Sequence, residues 1–427
     1  MNESSKNKIP DNIVKHIRLL CYTLALNSDD PGFETRHMEL VESNCIKLAK
    51  RRGMDESIAV SIACLHDLGR VKNRVYGKGH AVESAVVAES ILSDCRIDGK
   101  PRKIIIRAIG NHNRKGRVND KYSELIKDAD SISAFDGGGI SAQRTFEYIR
   151  CKYADSVKVE VIENPKADMA GSIKSSMANI LINLTDLKNS ETPYRLIHEI
   201  RTDIRKTRSV LWYMKNNPKA GKSGTFDRLD SGLNEIAEDY DRLRELQVFR
   251  KGIKGMDGCA ELYTYLDKQR KNEWKRILNK KLRSHIKLAD ELQKNVERLK
   301  NPAEGLMPAG NEYLKKLKKA MEEVNDDDVE SMHRLRIACK KFIYLEEAGI
   351  LSFSKPEIKD LLISINRNLG IINDAAENIR LLMKMGKQGG KSFPAIQIDF
   401  TKKIMMDKAR NAVKESKPDI LELRLRI

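Results

Sequence analysis

The residues 61–70, Ser-Ile-Ala-Cys-Leu-His-Asp-Leu-Gly-Arg, end an apolar run in an adjacent imidazole and carboxylate, His66 and Asp67. Such a pair makes a poor core and a good half of a metal site. Imidazole nitrogen suits Zn, Mn, Fe or Ni, and a carboxylate adds a harder oxygen ligand. Further ligands stand on either side: His37 in an amphipathic stretch upstream, and Asp130 in Asp128-Ala129-Asp130 downstream. Between them lie His80 and His112, expected to ligate a second metal or to hydrogen-bond a phosphate. Arg70, Lys72 and Arg114 could neutralise substrate phosphate, and Gly137-Gly138-Gly139 reads as a loop.

The order His, His-Asp, Asp resembles the HD superfamily of metal-dependent phosphohydrolases. Thr35-Arg36-His37, Leu65-His66-Asp67-Leu68-Gly69-Arg70 and Lys127-Asp128-Ala129-Asp130 carry the resemblance over about the first third of the chain. It implies an all-helical domain that hydrolyses a phosphate ester or anhydride. It also implies His37, His66, Asp67 and Asp130 as ligands of a divalent ion such as Mn, Mg, Fe, Ni or Zn. The metal would acidify bound water and polarise the phosphoryl oxygen. Asp128 and His112 are then the groups expected to move the proton, with Asp67 at the reacting centre.

The elements that must position these groups read as helices. Residues 10–26 form a first helix, ended by Asn27-Ser-Asp-Asp-Pro31-Gly32. In the next, Met38, Val41, Cys45 and Leu48 recur at the spacing of one buried face, and Gly53 closes it. Asp55 is a plausible N-cap for the helix that reaches His66, and Gly69 is expected to let the backbone turn. The helix from His80 offers Val82, Val86, Ile91 and Leu92 to the core, and another runs from Lys103 to His112. Residues 157–162 alternate like a short strand before Asn164-Pro165, which sets the expected boundary between domains 1–164 and 165–427. Everything after it reads as helices, and 261–300, without Gly or Pro, as one long helix or two joined ones.

A second constellation is a repeat. His198, Arg201, Arg205 and Lys206 recur as His333, Arg336, Lys340 and Lys341, and 333 minus 198 is 135. Asp239 recurs as Asp374 at the same 135. Two separated motifs that keep one offset argue for duplication of a whole helical unit. At 100° per residue, His198, Arg201, Arg205 and Arg208 fall on one side of a helix, and His333, Arg336 and Lys340 form the matching stripe. Face to face, the stripes would line a groove whose mutual repulsion needs an anionic occupant.

The two stripes, with Leu369-Gly370-Ile-Ile-Asn373-Asp374 downstream, resemble the signatures of CHAD domains, the conserved-histidine α-helical domains, over roughly residues 165–415. That resemblance implies two four-helix bundles about a pseudo-twofold axis, with a basic cavity that binds inorganic polyphosphate through His198, Arg201, Arg205, Arg208, His333, Arg336, Lys340 and Lys341. Ile343 stands where the family commonly has arginine, so the second stripe is the weaker.

Composition sets the frame for both. The 427 residues suffice for two or three domains and carry a formal charge of +18, which predicts attraction to polyanions. Nucleic acid ranks behind polyphosphate, because single-strand readers stack bases on aromatic rings and only 5% of this chain is aromatic. No apolar run approaches the roughly 20 residues of a membrane span, and the first residues lack a signal-peptide core. Seven cysteines without a Cys-x-x-Cys pair suggest reduced thiols and a cytoplasmic home. The expected protein is therefore all-α, an HD-type phosphohydrolase acting on a phosphorylated small molecule, joined to a polyphosphate-binding CHAD domain. The alternative is a non-catalytic polyphosphate-binding scaffold with a metal-binding HD domain.

Overall fold

The computed structural model describes residues 8–136, 145–154, 156, 158–190, 193–216, 224–301, 309–388 and 395–427. The Gly137-Gly138-Gly139 run lies outside them. The chain divides into two compact units, residues 1–158 with 424–426, and 159–423 with 427.

The first unit is a helical cluster around one buried helix. Its elements are α1 (Asp11–Leu26), α2 (Pro31–Arg51), α3 (Glu56–Leu65), α4 (Leu68–Asn73), α5 (His80–Asp94), α6 (Gly99–Asn111), α7 (Lys121–Asp136) and α8 (Phe146–Tyr153). The local signals are conventional. Asp30 caps α2 by accepting from the Phe33 amide at 3.0 Å, with Pro31 at the first helical position. Asp55 caps α3 by accepting from Ser57 and Ile58. Every α3 residue from Ser57 to Leu65 is buried, so α3 is the axis on which α1, α2, α5, α6 and α7 pack. At about 1.5–3 kcal/mol for each large aliphatic side chain removed from water, that burial anchors the unit.

Two expectations change here. Gly69 does not turn the chain; it lies inside α4. A Cβ on it would stand 2.5 Å from the Ser84 backbone nitrogen, and its own amide donates to Ser84 Oγ at 2.9 Å. Glycine is needed there for the close approach of α4 to α5. Val82 and Val86 are 60% and 61% exposed, and α5 instead turns Ala81, Ser84, Val87, Ala88, Ile91 and Leu92 inward. Apolar residues surround that helix, so periodicity alone admitted either face.

The second unit opens on β1 (Val161–Glu163), paired antiparallel with β2 (Leu351–Phe353). The helices are α9 (Met169–Asp186), α10 (Pro193–Lys215), α11 (Gly224–Asp239), α12 (Asp241–Gly252), α13 (Ala260–Lys280), α14 (Leu282–Val296), α15 (Ala309–Glu323), α16 (Val329–Glu347), α17 (Glu357–Gln388) and α18 (Ala395–Arg426). The 135-residue offset carries through the helices, laying α9 on α15, α10 on α16, α11 with α12 on α17, and α13 with α14 on α18. The stretch 261–300 thus resolves into two helices that break at Lys281, whereas its counterpart α18 runs unbroken. On α10, Ile197, Ile200, Ile204 and Leu211 are buried. The basic stripe sits one residue, or about 100°, further round, and α10 packs on α16.

Candidate functional site

The first site forms where α3 ends. His66 closes α3, Asp67 opens α4, and both are buried. Four imidazoles gather on the one carboxylate. His37 and His66 place Nε2 at 3.5 Å from Asp67 Oδ2, while His80 and His112 place Nε2 at 3.4 and 3.3 Å from Oδ1. Asp130 Oδ1 lies 3.5 Å from the same His37 nitrogen. All six expected ligands therefore converge.

The tautomers follow from the other ring nitrogens. His66 Nδ1 faces Ala63 O and His112 Nδ1 faces Ile109 O, each at 2.8 Å, and His80 Nδ1 faces Gly77 O. A carbonyl only accepts, so each Nδ1 carries the proton and each Nε2 presents a lone pair to Asp67. His80 and His112 bring those Nε2 atoms within 2.8 Å of each other. Two lone pairs so close require a proton or a cation between or beside them. Among the described residues, His66 Nε2 and Asp67 Oδ1 are buried without a hydrogen bond of ordinary geometry. Unsatisfied buried acceptors of both N and O type are what a cation would satisfy.

The charge states suit that role. Burial pulls the His66 imidazole down to about 4, so it is neutral at pH 7. Burial also opposes ionisation of Asp67 and Asp130. The imidazoles and Arg70 overcome it for Asp67, and Lys115 and the imidazoles for Asp130, so both stay well below the usual carboxylate range. His37 is raised: burial disfavours its charged form, but Asp67 and Asp130 outweigh that. Ionised carboxylates and neutral imidazole are the states that bind metal.

Arg70 reaches the cluster but is already engaged, its NH2 lying 2.8 Å from both Asp67 Oδ2 and Glu34 Oε2. Lys72 is exposed in the last turn of α4. Asp128 requires a correction. It is 1% exposed, and its two oxygens accept from Arg150 at 2.6 Å and Arg52 at 2.7 Å. This is a buried ion-pair clamp, a poor place for a proton shuttle.

The second site lies between the stripe helices. Arg205 and Arg208 from α10 and His333, Arg336, Lys340 and Lys341 from α16 line a cavity of about 490 Å³ with Trp212 and Tyr344. Crowding and burial lower the lysine pKa values. Burial, then Arg336 and Arg205, pushes Lys340 down to about 7, and burial, then Lys316 and Arg208, pushes Lys341 down to about 8. Not every stripe residue faces the cavity. Arg201 is buried, donates to Ala237 O at 2.9 Å and pairs with Asp241. Its partner at the head of the stripe, His198, is exposed, and its pKa is lowered by partial desolvation and by Arg244, Arg205, Lys340 and Arg201. Arg208 is shared with Asp230 and Asn234 at 2.8 and 2.7 Å. His333 sets Nδ1 at 2.6 Å from Asn373 Oδ1.

The HD domain model matches residues 35–134, and the CHAD domain model matches residues 175–382. The chain carries an HD domain followed by a CHAD domain. A solved structure that it resembles is the CHAD domain from the plant Ricinus communis, at 18% identity over 60% of this chain and 96% of that one, with a TM-score of 0.44. No curated protein matches. No helix of the described residues is long and apolar enough to cross a membrane.

Several residues of the two domains escaped sequence reasoning. In the HD domain, Lys115 is buried and bonds Asp130 Oδ2 at 2.5 Å, and Arg150 Nε donates to the Lys115 carbonyl at 2.8 Å. These links run from helix α8 to a candidate ligand across long sequence separations. In the CHAD domain, Arg244 on α12 crowds Arg205 and faces Asp374. Its repeat mate at 379 is isoleucine, so the duplication could not reveal it.

Proposed function

We propose that the HD domain is a divalent-metal phosphohydrolase and that the CHAD domain binds inorganic polyphosphate. One observation carries the first part: Asp67 is shared by two pairs of imidazoles, each oxygen facing one pair at 3.3–3.5 Å. Asp67 would be a ligand in common to two candidate sets, His37, His66 and Asp130 on one side and His80 and His112 on the other. Four imidazole nitrogens favour Mn, Fe, Ni or Zn over the oxygen-seeking Mg. A divalent cation bound there polarises a phosphoryl oxygen and acidifies water.

The chain's own residues supply the rest. Glu34 and Arg70 hold Asp67 Oδ2 in place, and Lys115 fixes Asp130. His112 Nε2, beside Asp67 and His80, would serve as a ligand and so would not be free to carry a proton. The crowded cations of α10 and α16 support the second part: their repulsion is relieved by an anionic chain that lies along both. The free cysteines suit the cytoplasm.

The test is metal analysis of the purified chain, followed by phosphate release from nucleotides, phosphomonoesters and polyphosphate. The reading expects bound transition metal and release from at least one class. Metal without release from any of them would leave the scaffold alternative.

A further inference from the structure

The basic stripe on α10 steps through His198, Arg201, Arg205 and Arg208 by alternating three and four. The next step is Trp212, where the pattern would put another cation. The indole is not idle. Lys341 Nζ, from α16, lies 4.1 Å from the ring centroid, and Lys316 Nζ, from α15, lies 4.4 Å from it. Trp212 and Lys341 line the cavity with Arg208, one turn further in. Tyr313 meets the indole edge-on at 5.9 Å and fixes its orientation.

A ring quadrupole attracts an ammonium without neutralising it. Two lysines brought to one indole are therefore held close together without being neutralised by an acidic partner, which a carboxylate between them would not achieve. Asp230 is the acidic residue in the cavity lining, and Arg208 engages it at 2.8 Å. The cations thus fall into two groups, Arg205, Arg336 and Lys340 in one, and Lys316 and Lys341 at the indole in the other. Single phosphates can use either group. Only a chain can use both.

We propose that Trp212 is a positioning residue that gathers Lys316 and Lys341 into a second phosphate-binding station, so that the groove selects condensed phosphate chains over single phosphates. The inference rests on the polyphosphate reading. Trp212 acts through the lysines and touches no reacting atom. An arriving anion competes with the indole for both ammonium groups, so occupancy changes the surroundings of Trp212 directly.

The chain has two tryptophans, Trp212 and Trp274, so the full chain carrying Trp274→Phe reports on Trp212 alone. Titration with orthophosphate, tripolyphosphate and a long polyphosphate should give a saturable change in indole emission, largest for the long chain. Lys316→Gln changes an exposed side chain and leaves the fold intact. It should weaken the long chain about 3- to 10-fold and orthophosphate hardly at all. Trp212→Leu should do the same, with Trp212→Phe restoring most of the loss because a π face remains. Unchanged long-chain affinity in Lys316→Gln and Trp212→Leu, with loss confined to Arg205→Gln, would overturn the second station and leave the polyphosphate reading standing. Failure of every phosphate to bind the parent chain would overturn both.

Discussion

Lys340 carries two opposite pH dependences. Its pKa falls from 10.5 to about 7 in the folded chain, chiefly through burial and then through Arg336 and Arg205. Between those values the unfolded chain binds more protons than the folded one, so this group makes stability rise as pH rises from about 7 to about 10.5. Anion affinity is expected to move the other way, because the same rise strips the charge that a phosphate would need. Tripolyphosphate titrations at pH 6 and pH 9 should show a several-fold loss in the parent chain. They should show little in Lys340→Arg, since guanidinium stays charged. A parallel loss in both would assign the pH effect elsewhere. At this scale the convergence of the candidate ligands was legible because the HD signature keeps them in local motifs, and the stripe because helical spacing repeats. Asp128 misled for the same reason: it sits two residues from Asp130, yet a helix turns those positions about 200° apart, and Arg150 and Arg52 claim it.

The junction of α3 with α4 is the element that builds the candidate metal site, and Gly69 is its tightest point. Gly69→Ala drives a methyl against the Ser84 backbone, 2.5 Å away. Overpacking of this kind costs about 1–3 kcal/mol and shifts backbone. Here it would part α4 from α5 and so Asp67 from His80. Urea unfolding should show the loss, and metal affinity should fall with it; stability equal to the parent would contradict the packing argument. Arg150, on α8, is 0% exposed and engages Asp128 and Glu124 at 2.6 and 2.9 Å. Arg150→Met leaves those carboxylates buried without it, a loss expected at about 3–5 kcal/mol, checked by the same melt. Helix positions were largely readable from caps and periodicity, but the break at Lys281 was not. No Gly or Pro marks it, and the equivalent stretch of α18 continues even with Pro418 inside. Tertiary packing decides it.

On the scale of the whole molecule, the HD and CHAD domains fall in two compact units. The duplication was visible because one offset linked His198 to His333 and Asp239 to Asp374. What the offset could not convey is that the copies diverged in use. Asp374 faces Arg336, Arg244 and Lys340, whereas Asp239 bonds His285 at 3.0 Å and Lys281 at 3.2 Å. The account predicts that a fragment of residues 1–158 retains metal and turnover on small phosphate esters, while polyphosphate binding stays with the remainder. The central claim is that Asp67 joins two sets of imidazoles into one metal centre. Calorimetric titration of Mn into the metal-stripped full chain and into its Asp67→Ala variant tests this most directly. The parent should bind up to two ions, and the variant should lose both sites while the melt shows it folded. Full Mn binding by the folded variant would contradict the account.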